Sequence, residues 1–88
     1  MAILKFAENF KHLLKSNGFS HQKFAKIVGT NQQTVSRWAS GENTPDLETI
    51  AKIAIILDED LNTLCGFDAI EESTKNEIRN NIKLQTLQ

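Results

Sequence analysis

The sequence consists of short apolar segments with helical spacing, each followed by a glycine or a polar turn. It shows no period-two alternation and a single proline, so it gives no indication of a β-strand. No apolar run approaches the ~18 residues needed to cross a bilayer. The single cysteine, Cys65, excludes an intramolecular disulfide and a cysteine-based zinc site. We therefore expect an all-α domain in a reducing, cytoplasmic setting, with no membrane association and no cofactor.

Polar residues that can cap helices separate the apolar segments, and they predict five short helices. The predicted N-caps of the second to fifth helices are Ser20, Asn31, Asp46 and Asp60, with Thr44 as an alternative cap of the fourth. The predicted core comprises the apolar residues on the inner faces: Phe6, Phe10, Leu13, Leu14, Phe24, Ala25, Val28, Val35, Trp38, Leu47, Ile50, Ile53, Ala54, Leu57, Leu61 and Leu64. Trp38 and all five phenylalanines are interpreted as core, and Cys65 as a small buried hydrophobe. Three further isoleucines, Ile27, Ile55 and Ile56, could form an exposed patch that a second subunit or the tail covers.

The last part of the chain, residues 68–88, forms a separate segment after the compact domain of residues 1–67. Four residues spaced by four form a thin apolar stripe: Ile70, Thr74, Ile78 and Ile82. Thr74 and Glu77 resemble a capping box. We expect residues 70–84 to be at least partly helical and, because the stripe is too thin to stabilise an isolated helix, to aid dimerisation or bind a protein partner.

Charge is distributed unevenly along the chain, although the net charge is only −1. Residues 1–38 carry six basic side chains against one acidic, whereas residues 39–68 carry one basic against seven acidic. Residues 69–88 are balanced. This asymmetry can place a positive face beside a negative one, and a positive face can attract phosphate despite a near-neutral total. Uneven surface charge without a function is the alternative interpretation.

The segment of residues 18–41 predicts two short helices joined by a tight turn. Gly29 allows the reversal between the helices, and Ala25 allows their close approach. Val35 and Trp38 would anchor the second helix to the core. The remaining polar residues of that helix must then point outward: Gln32, Gln33, Ser36 and Arg37. Glutamine and arginine can read adenine and guanine edges in the major groove; ordinary solvated helix residues, or a surface ion pair for Arg37, are the alternatives.

Several linked segments of residues 6–66 resemble the helix-turn-helix domain of phage repressors, Cro proteins and xenobiotic-response-element-type regulators. They are GFSHQKFA, IVGTNQQTVSRWASG, PDLETIAKIAIIL and LNTL. The resemblance implies a lambda-repressor-like five-helix fold whose second and third helices dock on a double-stranded DNA operator. It further implies a sequence-specific transcriptional regulator of a phage or bacterium, most simply a repressor that binds a palindromic operator as a homodimer. We expect no small-molecule ligand, and a location on the bacterial nucleoid.

The resemblance also suggests individual DNA contacts. Base contacts fall on Gln32, Gln33 and Arg37, with Ser36 beside them. The resemblance, the positive segment and the helix ends together predict phosphate contacts at His21, Gln22, Lys23, Lys26, Asn31, Ser40 and Asn43. Two residues depart from the family pattern. Glu42 stands where many relatives carry a basic residue and would repel phosphate, and Asp58 stands where a glycine commonly ends the fourth helix.

No combination of residues in the sequence indicates catalysis. There is no nucleophile beside a base and no phosphate-binding glycine loop, so we do not expect an enzyme. His12 and His21 lack the spacing of metal ligands. The competing hypothesis is a protein-interaction module, such as an antitoxin or a transcription adaptor, that retains the fold. Glu42, the acidic middle segment and the striped tail motivate it.

Overall fold

The computed structural model describes residues 3–87, with side chains through residue 81. All regular secondary structure in this part of the chain is helical, as predicted. The α-helices are α1 (Phe6–Ser16), α2 (His21–Val28), α3 (Gln32–Ser40), α4 (Leu47–Leu57), α5 (Leu61–Cys65) and α6 (Glu72–Leu87), and a 3-10 turn, Phe67–Ala69, joins α5 to α6. No helix within the described range is long and apolar enough to cross a membrane.

All four predicted N-caps are confirmed. Each cap side chain accepts a hydrogen bond of 2.7–3.1 Å from the backbone N–H three residues later. These caps are Ser20, Asn31, Asp46 and Asp60. Helix α4 therefore starts after Asp46 and not after Thr44. At its other end Asp58 has a φ of +52°, the left-handed conformation for which a glycine is usual.

The core forms around Phe10, which is fully buried. Its ring stacks on Phe6 with centroids 5.3 Å apart and meets Phe24 and Trp38 edge-on at 5.4 and 6.2 Å. Most of the predicted core is confirmed as buried or packed against this cluster. The buried apolar residues are Phe6, Phe10, Leu14, Phe24, Ala25, Val35, Trp38, Ala39, Ile50, Ile53, Ala54, Leu57 and Leu64.

Three predicted core residues are instead exposed: Leu47 at 76%, Leu61 at 45% and Phe67 at 51%. Leu47 and Leu61 are each the first residue of a helix. A helical side chain leans towards the N-terminus, so at this position it extends past the end of the helix and away from the core. Phe67 lies in the 3-10 turn, with the Lys75 ammonium 5.4 Å above its ring centroid. Cys65 is only partly buried.

The tail is helical, as predicted, but α6 begins at Glu72. The capping-box interpretation of Thr74 is wrong, because Thr74 lies inside the helix and its own N–H donates to the Glu71 carbonyl at 3.1 Å. None of the described α6 side chains is buried, and Ile78 is 39% exposed. Ile82, the last residue of the predicted stripe, lies outside the described side chains.

Candidate nucleic-acid interface

A tight turn connects α2 to α3. The N–H groups of Gly29 and Thr30 both donate to the Ala25 carbonyl, at 2.9 and 2.8 Å, and so close the end of α2. Gly29 takes a φ of +88°, which a residue with a side chain adopts only with strain. Asn31 follows directly as the N-cap of α3. The structure thus contains the helix-turn-helix that the sequence predicted.

Helix α3 has one buried face and one exposed face. Val35, Trp38 and Ala39 are at most 8% exposed and pack into the core. The side chains of Gln32, Gln33 and Arg37 are exposed. Because the buried residues fix the rotation of the helix, the exposed ones are held in one orientation. This is the orientation expected for three of the four predicted base contacts.

The fourth predicted base contact, Ser36, lies between α3 and α2. It is half-buried, and its Oγ is within hydrogen-bonding distance of His21 Nδ1, at 2.8 Å. His21 is the first residue of α2 and is also half-buried. This contact ties the start of α2 to the middle of α3, so Ser36 is less free to meet a base than Arg37, its neighbour in the sequence.

The side chains of Arg37 and Glu42 approach each other across the end of α3. Arg37 Nε lies 3.9 Å from Glu42 Oε2, and both side chains are more than half exposed. The turn after α3 folds back onto the helix, and the Arg37 carbonyl accepts hydrogen bonds from the N–H groups of Glu42 and Asn43 at 3.0 and 3.3 Å. Ser40 Oγ donates to the same carbonyl at 3.1 Å.

The other predicted phosphate contacts are exposed and lie on α2, at the two ends of α3 and in the turn after it: Gln22, Lys23, Lys26, Asn31, Ser40 and Asn43. The Asn31 Oδ1 atom is occupied by the cap, where it accepts hydrogen bonds from the N–H and the hydroxyl of Thr34. The amide nitrogen of Asn31 takes no part in the cap and could donate to phosphate.

The surface ion pair offered as the alternative for Arg37 is present, and its partner, which the sequence alone did not identify, is Glu42. No signal in the sequence indicated the contact between His21 and Ser36, because it joins residues fifteen positions apart on different helices.

No group of three or more potential metal ligands occurs among the described residues. Burial raises the pKa of the Cys65 thiol above its ordinary value and so disfavours the nucleophilic thiolate.

Comparisons with known proteins agree with this description. A family model for the helix-turn-helix matches residues 10–64. The SPbeta prophage-derived uncharacterized HTH-type transcriptional regulator YonR of Bacillus subtilis (strain 168) is 35% identical over 52 residues, 59% of this chain and 48% of that protein. The chain thus spans about half the length of this curated relative.

A crystal structure of a transcriptional regulator from Listeria innocua shares the fold. It superposes with a TM-score of 0.70 over 98% of this chain and 97% of that chain, at 22% identity. The likeness extends over nearly the whole chain and so takes in α6 as well as the first five helices. The family match over residues 10–64 shows that the chain belongs to the helix-turn-helix family, of the phage repressor and Cro type.

Proposed function

We propose that this chain binds double-stranded DNA sequence-specifically, with α3 in the major groove. The observation that carries the proposal is that Gln32, Gln33 and Arg37 are exposed on α3, whereas Val35, Trp38 and Ala39 of the same helix are buried. Glutamine can make a bidentate contact to adenine and arginine to guanine, and a helix fits the major groove. Ser36 would take a secondary part, because it contacts His21.

The phosphate contacts would come from α2 and from the two ends of α3. Lys23 and Lys26 are exposed on α2, the helix that packs against α3, and would supply positive charge. His21 and Gln22 lie in the first turn of α2, where the helix dipole favours an anion. The remaining phosphate contacts would come from Asn31, Ser40 and Asn43. These groups would fix the position of the protein on the duplex without reading its sequence.

The regulator would act as a homodimer on a palindromic operator, most simply as a repressor that blocks polymerase. Residues 1–67 would form the DNA-binding domain and residues 68–88 the dimerisation segment. Phe67 and Ile78 line one surface groove and are 51% and 39% exposed, which supports an associating role for the tail, because apolar groups exposed together on a small domain favour association. A two-fold dimer would place the half-sites about one helical turn, ~34 Å, apart.

Selection of bound duplexes from a random pool, followed by a salt titration, tests this proposal. We expect recovery of one related set of sequences and a log–log slope of about −0.9 for each phosphate neutralised. A Q32A/Q33A/R37A variant should lose the preference for the recovered sequences and keep most of the binding to random duplex. Recovery of unrelated sequences, or a preference that survives in the triple variant, would contradict the proposal.

The competing proposal is a protein-interaction module, such as an antitoxin or a transcription adaptor. The acidic residues Asp58, Glu59 and Asp60 between α4 and α5 favour it, as does Glu42 beside the recognition helix. The same salt titration separates the two functions, because a pure adaptor would show a slope near zero on random duplex.

A further inference from the structure

We infer that Glu42 is a specificity-determining residue, which restricts Arg37 to base contacts and disfavours its use as a phosphate contact. This inference rests on the proposed function. The observation behind it is the 3.9 Å approach of the Glu42 carboxylate to Arg37 Nε at the exposed end of α3.

The backbone of the turn fixes Glu42 beside the arginine. Its N–H donates to the Arg37 carbonyl at 3.0 Å and also lies 3.4 Å from Ser40 Oγ. Gly41, in the left-handed conformation with a φ of +82°, directs the chain back over α3. The main chain therefore places the start of the Glu42 side chain at the end of α3, from which its carboxylate reaches Arg37 Nε.

The position of the carboxylate determines which part of the guanidinium remains free. Glu42 approaches the Nε side, so the two terminal nitrogens stay available for a bidentate contact to guanine O6 and N7. A phosphate close to Arg37 would also be close to Glu42, and the like charges would repel. A base edge carries no net charge, so its contact with Arg37 is penalised less. Glu42 thus acts against the sequence-independent part of binding, which is how repulsive elements create specificity.

The pair is exposed, so its own contribution to folding stability is small. Removal of the charge should therefore alter DNA binding without unfolding the domain. Glu42→Gln is suited to this test because it keeps the length of the side chain and the backbone N–H that bonds to Arg37.

The experiment measures affinity for the duplex recovered by selection and for a shuffled duplex of the same length. The proteins are wild type, Glu42→Gln, Arg37→Ala and the double variant, with Glu59→Gln as a control that removes the same charge outside α2 and α3. We expect Glu42→Gln to tighten binding to the shuffled duplex by about threefold to tenfold and to tighten binding to the selected duplex less, so that the affinity ratio falls by a correspondingly smaller factor. In the Arg37→Ala background, the same change should leave the ratio constant within about twofold.

Two outcomes would overturn the inference: an unchanged ratio for Glu42→Gln in the presence of Arg37, or an equal fall of the ratio in both backgrounds. The latter would mean that Glu42 acts on DNA directly and not through Arg37. Failure of the proposed function itself would be recognised separately, since the wild-type chain would then show no preference between the two duplexes.

Discussion

The helix-turn-helix and α6 expose different kinds of surface. In α2 and α3 the apolar residues Phe24, Ala25, Val35 and Trp38 are at most 7% exposed, and the outward side chains are polar apart from Ile27, which is 49% exposed. In α6 none of the described side chains is buried, and Ile78 is among the exposed ones.

The difference indicates how each region gains its stability. A helix whose apolar side is already buried can present polar groups to a ligand in a fixed orientation. A helix that exposes its apolar side gains less from its own domain and would gain more from a second surface. We therefore expect the stability of α2 and α3 to depend on the core of one chain, and that of α6 to depend on association.

The largest effect should come from the core beneath the helix-turn-helix. Phe24 is fully buried, and its ring meets those of Phe10 and Phe19 at 5.4 and 5.5 Å. Phe24→Ala should lower the free energy of unfolding by about 3–5 kcal/mol, because it removes the ring and leaves a cavity. Ile78→Ala should cost less than about 1 kcal/mol when the chain is dilute. Urea unfolding followed by circular dichroism measures both.

Phe24→Leu gives a milder variant if the alanine variant does not fold, with an expected loss of about 1–2 kcal/mol. A loss for Ile78→Ala in dilute solution as large as that for Phe24→Ala would contradict the contrast, since it would place α6 in the core of the monomer.

The next effect concerns the joint between the compact domain and the tail. Gly66 has a φ of +76°, and a Cβ there would lie 3.2 Å from both the Lys5 backbone nitrogen and Asn9 Nδ2. Gly29 has a φ of +88° with nothing within 4 Å of such a Cβ. Both changes to alanine incur about 1–2 kcal/mol of left-handed strain. Gly66→Ala should cost about 1 kcal/mol more, because its neighbours must move. Equal losses of stability for Gly66→Ala and Gly29→Ala in thermal unfolding would contradict the close approach at Gly66.

A smaller effect should appear in the association of two chains. Replacement of Ile78 by aspartate puts a charge on the exposed apolar side of α6, and we expect the dimer dissociation constant to rise about tenfold or more. Asn80→Asp adds the same charge to the same helix at an exposed polar position and should leave dimerisation almost unchanged. Analytical ultracentrifugation over a range of concentrations measures both. A wild-type chain that remains monomeric, or equal effects of the two variants, would contradict the role of α6.

The smallest effect should be a dependence of stability on acid pH. Hydrogen bonds from Thr49, chiefly that of its side chain, lower the pKa of Asp46, and those from Thr63, chiefly that of its backbone N–H, lower the pKa of Asp60. Each carboxylate therefore stabilises the fold above its unfolded pKa of 3.8, and this stabilisation is lost as the pH falls through the lower folded pKa.

Asp46→Asn and Asp60→Asn should retain much of the cap. They should reduce the loss of stability at low pH, as measured by unfolding from pH 6 to pH 2. Glu48→Gln, which removes a carboxylate from the first turn of α4 without touching its cap, serves as the control. If the two asparagine variants lost as much stability at low pH as the wild type, the pH dependence could not be assigned to the caps.

Local signals in the sequence were sufficient for much of the fold. The caps and the glycine turns follow from the conformational preferences of single residues, and the buried side of each helix follows from its spacing. The predicted burial of Leu47 and Leu61 was wrong, because helical spacing does not show that the side chain of the first residue of a helix extends past its end. The predicted burial of Phe67 was wrong, because phenylalanine is usually buried and the 3-10 turn that holds it was not predicted. These errors depend on where an element begins, which spacing alone fixes poorly.

The candidate site was predicted to a lesser degree. The exposure of Gln32, Gln33 and Arg37 followed from the position of their buried neighbours. The contacts that modify the site, between His21 and Ser36 and between Arg37 and Glu42, depend on tertiary geometry. The DNA contacts themselves stay predictions.

Base discrimination by Arg37 tests the central claim most directly. Binding of wild type, Arg37→Ala and Lys23→Ala should be measured on the selected duplex and on its single-base variants. We expect Arg37→Ala to lose about 1–3 kcal/mol of binding free energy and the preference for one base pair. Lys23→Ala should weaken binding to all duplexes alike and reduce the salt slope by about one. Unaltered affinity and base preference in Arg37→Ala would contradict the account.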